Sequence, residues 1–153
     1  MTPVKGSRDN TVNYSPNLLK ILGTEMAARV IRTTQAEHKL FQAIIMQAFE
    51  DCTSFTYSKI DAYNKQDSVN WFVQQSDEFK EICWNADFDP EYIMGVFKKL
   101  IKEEKIKYNR NEKLWMEYRA RYVQYRAANS KEERREIKKK IDLINVPSDK
   151  KES

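Results

Sequence analysis

Residues 76–101, SDEFKEICWNADFDPEYIMGVFKKLI, decide the fold. Phe79, Ile82, Cys83 and Ala86 recur at i, i+3, i+4 and i+7, the spacing that aligns one face of a 3.6-residue helix, and Ser76 stands ahead of them as an N-cap. The run Asp87-Phe88-Asp89-Pro90 then stops that helix. Pro90 has no amide hydrogen and forces Asp89 into extended backbone, while the Asp89 carboxylate can cap the next helix at its positive end. Ile93, Val96, Phe97, Leu100 and Ile101 repeat the spacing beyond the break. Two short amphipathic helices joined by a tight turn, with the apolar Phe88 inside it, match the helix-turn-helix layout over residues 79–101. A helical corner that touches no nucleic acid is the alternative reading of the same pattern.

Outward from this stretch the chain reads as all-α, a helix-turn-helix-containing domain followed by long C-terminal helices for oligomerisation. Residues 1–14 are polar, with no apolar period, and are expected to be a flexible arm. Ser15-Pro16 pairs an N-cap with a proline at the first helical position, and Leu18, Leu22, Met26 and Val30 predict a helix to about Thr33 with Gly23 as its weak point. Phe41, Ile44, Ile45, Ala48, Phe49 and Cys52 predict a core helix. Residues 53–66 lack a period and read as loop, after which Asp67-Ser68 is expected to cap a short helix burying Val69, Phe72 and Val73. The helical domain spans residues 15–108. Residues 109–146 form a basic helical hairpin, with one helix over 112–128 and another over about 131–144 that starts from a capping box at Ser130-Lys131-Glu132-Glu133. Residues 147–153 form a polar tail.

The 153 residues suit one compact core with appendages, and 41% hydrophobic with 33% charged residues describe a soluble chain. No apolar run approaches the roughly 20 residues that cross a bilayer. The opening MTPVKGSR has no apolar stretch behind its basic residues and does not read as a secretory signal, so a reducing, cytoplasmic location is expected, the host cytoplasm if the protein is viral. Cys52 and Cys83 occupy apolar helical positions and read as small core residues rather than a disulfide or metal pair, and His38, the only histidine, as a surface or boundary residue.

No catalytic constellation emerges. Three glycines in the whole chain leave no phosphate loop, and there is no G-x-S-x-G or H-E-x-x-H. The acidic residues Asp77, Glu78, Glu81, Asp87, Asp89 and Glu91 sit where helix N-termini attract negative charge and need no metal. The chain is therefore expected to be no enzyme and to use no cofactor and no metal.

Charge is uneven. Residues 1–97 carry 9 Lys and Arg against 13 Asp and Glu, whereas residues 98–140 carry 16 against 7. Lys98, Lys99, Lys102, Lys105 and Lys107, with Tyr92, are the candidate DNA-binding residues, suited to neutralising phosphates. Base reading is a poorer match, because the exposed start of the second helix offers Glu91, Tyr92, Met94 and Gly95. Leu114, Trp115, Tyr118, Tyr122 and Tyr125 form an aromatic stripe that reads as packing in preference to base stacking. Ile137, Ile141 and Ile144 form a seam too narrow to stand alone, so a partner helix from this chain or another subunit is needed, and the two stripes together are the candidate oligomerisation surface.

The segment Trp71-Phe72-x-x-x-Ser76-x-x-Phe79-x-x-Ile82-Cys83-x-x-Ala86-x-x-Asp89-Pro90-x-x-Ile93 resembles a stretch of small DNA-packaging proteins of tailed bacteriophages and phage-like elements. The order of parts is similar to a small terminase subunit: a helix-turn-helix region, a helical oligomerisation segment and a polar tail. The resemblance implies a non-catalytic, ring-forming homo-oligomer that recognises double-stranded viral DNA and recruits the large terminase subunit, with the segment from Pro147 as a docking tail. A dimeric helix-turn-helix transcription regulator and a structural or host-interaction protein without DNA contact are the alternatives.

Overall fold

The computed structural model describes residues 14–146, so the expected N-terminal arm (but for Tyr14) and the tail from Pro147 lie outside the described residues. Eight helices and no strand are found among them: α1 Pro16–Leu22, α2 Thr24–Arg32, α3 Ala36–Thr53, α4 Lys59–Gln74, α5 Asp77–Asn85, α6 Pro90–Lys102, α7 Arg110–Ala127 and α8 Lys131–Leu143. No helix among the described residues is long and apolar enough to cross a membrane. The chain divides into two compact units, one of residues up to 53 with 68–107, the other of residues 54–67 with those from 108 onward. The second unit thus takes in residues 54–67, which the sequence pattern groups with the first.

In the first unit, Ser15 Oγ accepts from the Leu18 amide at 3.2 Å and Pro16 opens α1. The single helix expected up to Thr33 is two, because Gly23 adopts φ +103°, ψ 161°, a conformation that favours glycine. Helix α3 buries Gln42, Ile45, Met46, Phe49 and Cys52, a face turned slightly from the expected one, with Ile44 at 42% exposure. Between α5 and α6 the chain uses the anticipated caps. Ser76 Oγ accepts from the Phe79 amide at 3.2 Å, and Asp89 Oδ1 from the Glu91 amide at 2.9 Å. Asp87 takes φ +66°, which lets the Phe88 amide donate back to the Cys83 carbonyl at 2.9 Å and drives the Phe88 ring into the core. A second left-handed residue, Glu104 at φ +60°, ends α6 with Lys105 donating to the Leu100 carbonyl at 2.8 Å. Helix α6 therefore stops at Lys102, short of the helix-compatible run to Tyr108, and Ile101 stays exposed.

The first unit's core is aromatic at its centre. Phe72 stacks on Phe49 at 4.6 Å and on Phe97 at 4.8 Å between ring centroids, and Trp71 meets Phe79 edge-on at 4.8 Å. Each such pair adds about 0.5–1.5 kcal/mol to the burial of the rings themselves.

The second unit contradicts the expected loop over residues 53–66. Ser58 Oγ accepts from the Asp61 amide at 3.1 Å and α4 begins at Lys59, running without interruption past Asp67-Ser68. Val73, expected to be buried, is 57% exposed. The buried positions Ala62, Lys65 and Phe72 keep a helical period, but one of them is a lysine. Asn109 and Glu112 form a reciprocal capping box that starts α7, each side chain accepting from the other's amide at 2.8 Å. Ser130 Oγ accepts from the Glu133 amide at 3.1 Å and starts α8.

Candidate functional site

Side chains of α2 and its N-cap residue approach α6 and the turn before it at two points. At one end the Arg29 guanidinium lies 4.5 Å from the Tyr92 ring centroid and 5.0 Å from that of Phe88, and the two rings stack on each other at 5.9 Å. At the other end, a Cβ built on Gly23 would lie 3.9 Å from the Lys99 ammonium nitrogen. The face of a guanidinium held over aromatic rings leaves its edge N–H groups available to an acceptor. Tyr92, read from sequence as a DNA-contacting residue, is half-buried beneath Arg29 and serves as its platform.

Lys98, Lys99, Lys102, Lys105 and Lys107 are all exposed, the last two beyond the end of α6. Among the described residues Lys98, Lys99, Lys102 and Lys105 make no ion pair, and neither do Arg29 and Arg32. Sequence reading placed the positive surface in the C-terminal third and missed these two arginines. Their signal was local, two arginines three apart in the last turn of a helix ahead of Thr33-Thr34, and it gains meaning only when α2 is laid beside Phe88 and Tyr92. At the start of α6, Met94 is 7% exposed, which leaves Glu91 and Gly95 as the fully exposed positions of the first two turns.

Arg29, Arg32, Gln35, His38, Gln42 and Asp87 line a cleft of about 360 Å³ between the end of α2, the start of α3 and the turn before α6. Gln42 is 2% exposed, and its Nε2 donates to Thr33 Oγ1 at 2.8 Å and to the Ala86 carbonyl at 3.0 Å. Because the Ala86 carbonyl can only accept, the amide orientation is fixed by chemistry. Gln42 Oε1 is left with no partner among the described residues.

The residues expected to mediate oligomerisation lie in the second unit and pack within the chain. Trp115, Tyr118, Tyr122 and Tyr125 form a ladder of edge-on rings at 5.4, 5.0 and 5.9 Å along α7. Trp115 and Ile141 are buried, while Leu114, Ile137 and Ile144 are half-buried. Leu114 of α7 and Ile144 beyond α8 line one groove, so α7 itself supplies the partner helix that the isoleucine seam requires. Arg119 of α7 lies over the Tyr63 ring at 4.6 Å and pairs with Asp67 at 2.9 Å.

Beneath these helices, Glu112 is fully buried and its carboxylate accepts five hydrogen bonds. Lys65 Nζ donates to both oxygens at 3.0 and 3.2 Å, the Thr56 amide and hydroxyl at 2.8 and 3.1 Å, and the Asn109 amide at 2.8 Å. Lys65 completes its shell with the Ser54 carbonyl at 2.7 Å and lies against the rings of Phe55 and Tyr108. A pair with every lone pair and proton engaged is a structural staple.

No group of three or more His, Cys, Asp or Glu side chains among the described residues is placed to hold a metal ion. Cys52 and Cys83 are buried free thiols. Burial, and then the nearby Asp89 carboxylate, push the Cys83 thiol up to about 12, which keeps it protonated at neutral pH. No protein-family model matches the chain, and neither a curated protein nor a solved structure is significantly similar to it.

Proposed function

We propose that this chain is a non-catalytic DNA-binding assembly protein of the small-terminase kind, in which α5, the turn at 86–89 and α6 act as a helix-turn-helix. The observation that carries the reading is the set of cations on α2 and α6, Arg29, Arg32, Lys98, Lys99 and Lys102, none of which has an acidic partner among the described residues. Cations left without internal partners suit the phosphate backbone of double-stranded DNA. With Glu91 exposed at the start of α6, the contact is to the backbone in preference to base edges, and specificity comes from repetition in an oligomer. In this reading Leu143, 83% exposed, and Val123, 54% exposed, are apolar positions left for a second copy, and the large terminase subunit is the partner in packaging.

Filter or gel retention of duplex DNA across a salt series tests this. The affinity should fall steeply with salt, and the variant K98Q/K99Q/K102Q should flatten the slope by about 3, one unit per lost phosphate contact. Salt-insensitive retention, or none, would refute the proposal. A second reading, a dimeric transcription regulator, draws on the hairpin: because α7 already covers the isoleucine seam, that seam does not demand a ring. Light scattering separates the two, a large ring from a dimer, and a selected site in two halves about one DNA turn apart would favour the regulator.

A further inference from the structure

Two exposed surfaces of the chain carry matching features. On α5, Asp77, Glu81 and Trp84 stand at i, i+4 and i+7, which aligns them on one side of the helix, and Lys80 lies one turn before Trp84 on the same flank. All four are exposed, Trp84 at 61%, and Asp77, Lys80 and Glu81 make no ion pair among the described residues. A tryptophan held that far out of the core forgoes most of the burial its ring can supply. Between α7 and the end of α8 lies a groove of about 410 Å³. Leu114, Leu143 and Ile144 give it apolar walls, and Arg121, Lys140 and Glu117 stand among them, again without an ion pair among the described residues. The groove offers two positive charges and one negative around apolar side chains, and the α5 face offers two negative charges and one positive around an indole. In such a pairing the buried ring supplies the affinity, while the charges set the orientation and reject like-charged faces.

We propose that the groove receives Trp84 from α5 of a second copy of this chain, with Asp77 and Glu81 facing Arg121 and Lys140, and Lys80 facing Glu117. Knob and groove are different surfaces, so after the first contact the pair still presents one of each. Association then runs head to tail, into a closed ring or an open filament, and does not stop at a two-fold dimer. This interface rests on the self-association that the assembly reading supposes, and not on its DNA contact.

Sedimentation of two full-length variants, alone and mixed, over a series of concentrations tests it. Trp84→Ala removes the knob and Leu143→Glu sets a negative charge in the groove; both positions are exposed, and circular dichroism checks the fold. The wild-type chain should assemble beyond a dimer, and each variant alone should stay monomeric to concentrations about tenfold higher or more. The equimolar mixture should rise with concentration toward a one-to-one dimer and nothing larger, because W84A keeps a sound groove and L143E keeps its tryptophan. A monomeric wild type, or assembly of either variant at the wild-type concentration, overturns the interface. So does a mixture no heavier than its components, which assigns the groove to an occupant other than Trp84. Assembly that survives both substitutions overturns this interface and leaves the assembly reading standing, whereas salt-sensitive retention of DNA reports on the packaging proposal separately.

Discussion

The two compact units are both helical, yet different forces hold them. In the first, seventeen buried apolar residues from α1 to α6 form a continuous core centred on Phe49, Phe72 and Phe97, and the cations on α2 and α6 stay outside it. In the second, the buried apolar residues among those described are Ala62, Trp115 and Ile141. The rest of its cohesion comes from rings in a ladder, cations over rings, and the ion pairs Lys65–Glu112 and Arg119–Asp67. Among the described residues Lys98, Lys99 and Lys102 of the first unit make no ion pair, whereas Lys65, Arg119, Lys138 and Lys139 of the second unit do.

Breaking each unit at its centre should give the largest effects. Phe72→Ala should destabilise the first unit by about 3–5 kcal/mol through the cavity it leaves, measured by urea denaturation. Next, Lys65→Met leaves Glu112 charged and buried without its counter-ion and should cost about 3 kcal/mol. Followed through Trp115 fluorescence in a W71F/W84F background, that loss should appear in the second unit. A change below about 1 kcal/mol would mean that the hydrogen bonds from Thr56 and Asn109, and not the ion pair, hold the unit.

A smaller effect separates the units by pH. The Cys83 thiol titrates at about 12 in the fold and at 9.0 ordinarily, so above about pH 9 ionisation favours the unfolded chain. Stability should hold up to that pH and decline as it rises toward 12, and Cys83→Ala, though less stable overall, should show a shallower decline. At the bottom of the scale, the exposed Lys138–Asp142 pair should be dispensable, with Asp142→Asn leaving the melting temperature within error.

Those same forces governed what the sequence disclosed. Helices α5 and α6 were legible because apolar spacing, the Ser76 and Asp89 caps and Pro90 all agree. The start of α4 was hidden because Lys65 occupies a core position, and its partner Glu112 lies 47 residues further on. The end of α6 carried no stop signal, since Glu104 takes the left-handed conformation that glycine usually supplies. Of the candidate site, the lysines from Lys98 were visible as a run. The cleft was not, because Arg29, Gln42 and Asp87 come from three separate stretches and only Gln42 could have been flagged, as a polar residue on an apolar face.

The carboxylate of Glu112 also imposes an order of events during synthesis. Residues 54–67 leave the ribosome well before residue 112, and until then the Lys65 ammonium, the Ser54 carbonyl and the Thr56 amide lack the group that gathers them. The first unit, complete at residue 107, can collapse on its apolar residues while this stretch is still open. A released chain truncated just short of Glu112 would therefore present a folded first unit with a protease-sensitive stretch at residues 54–67, which the full-length chain closes.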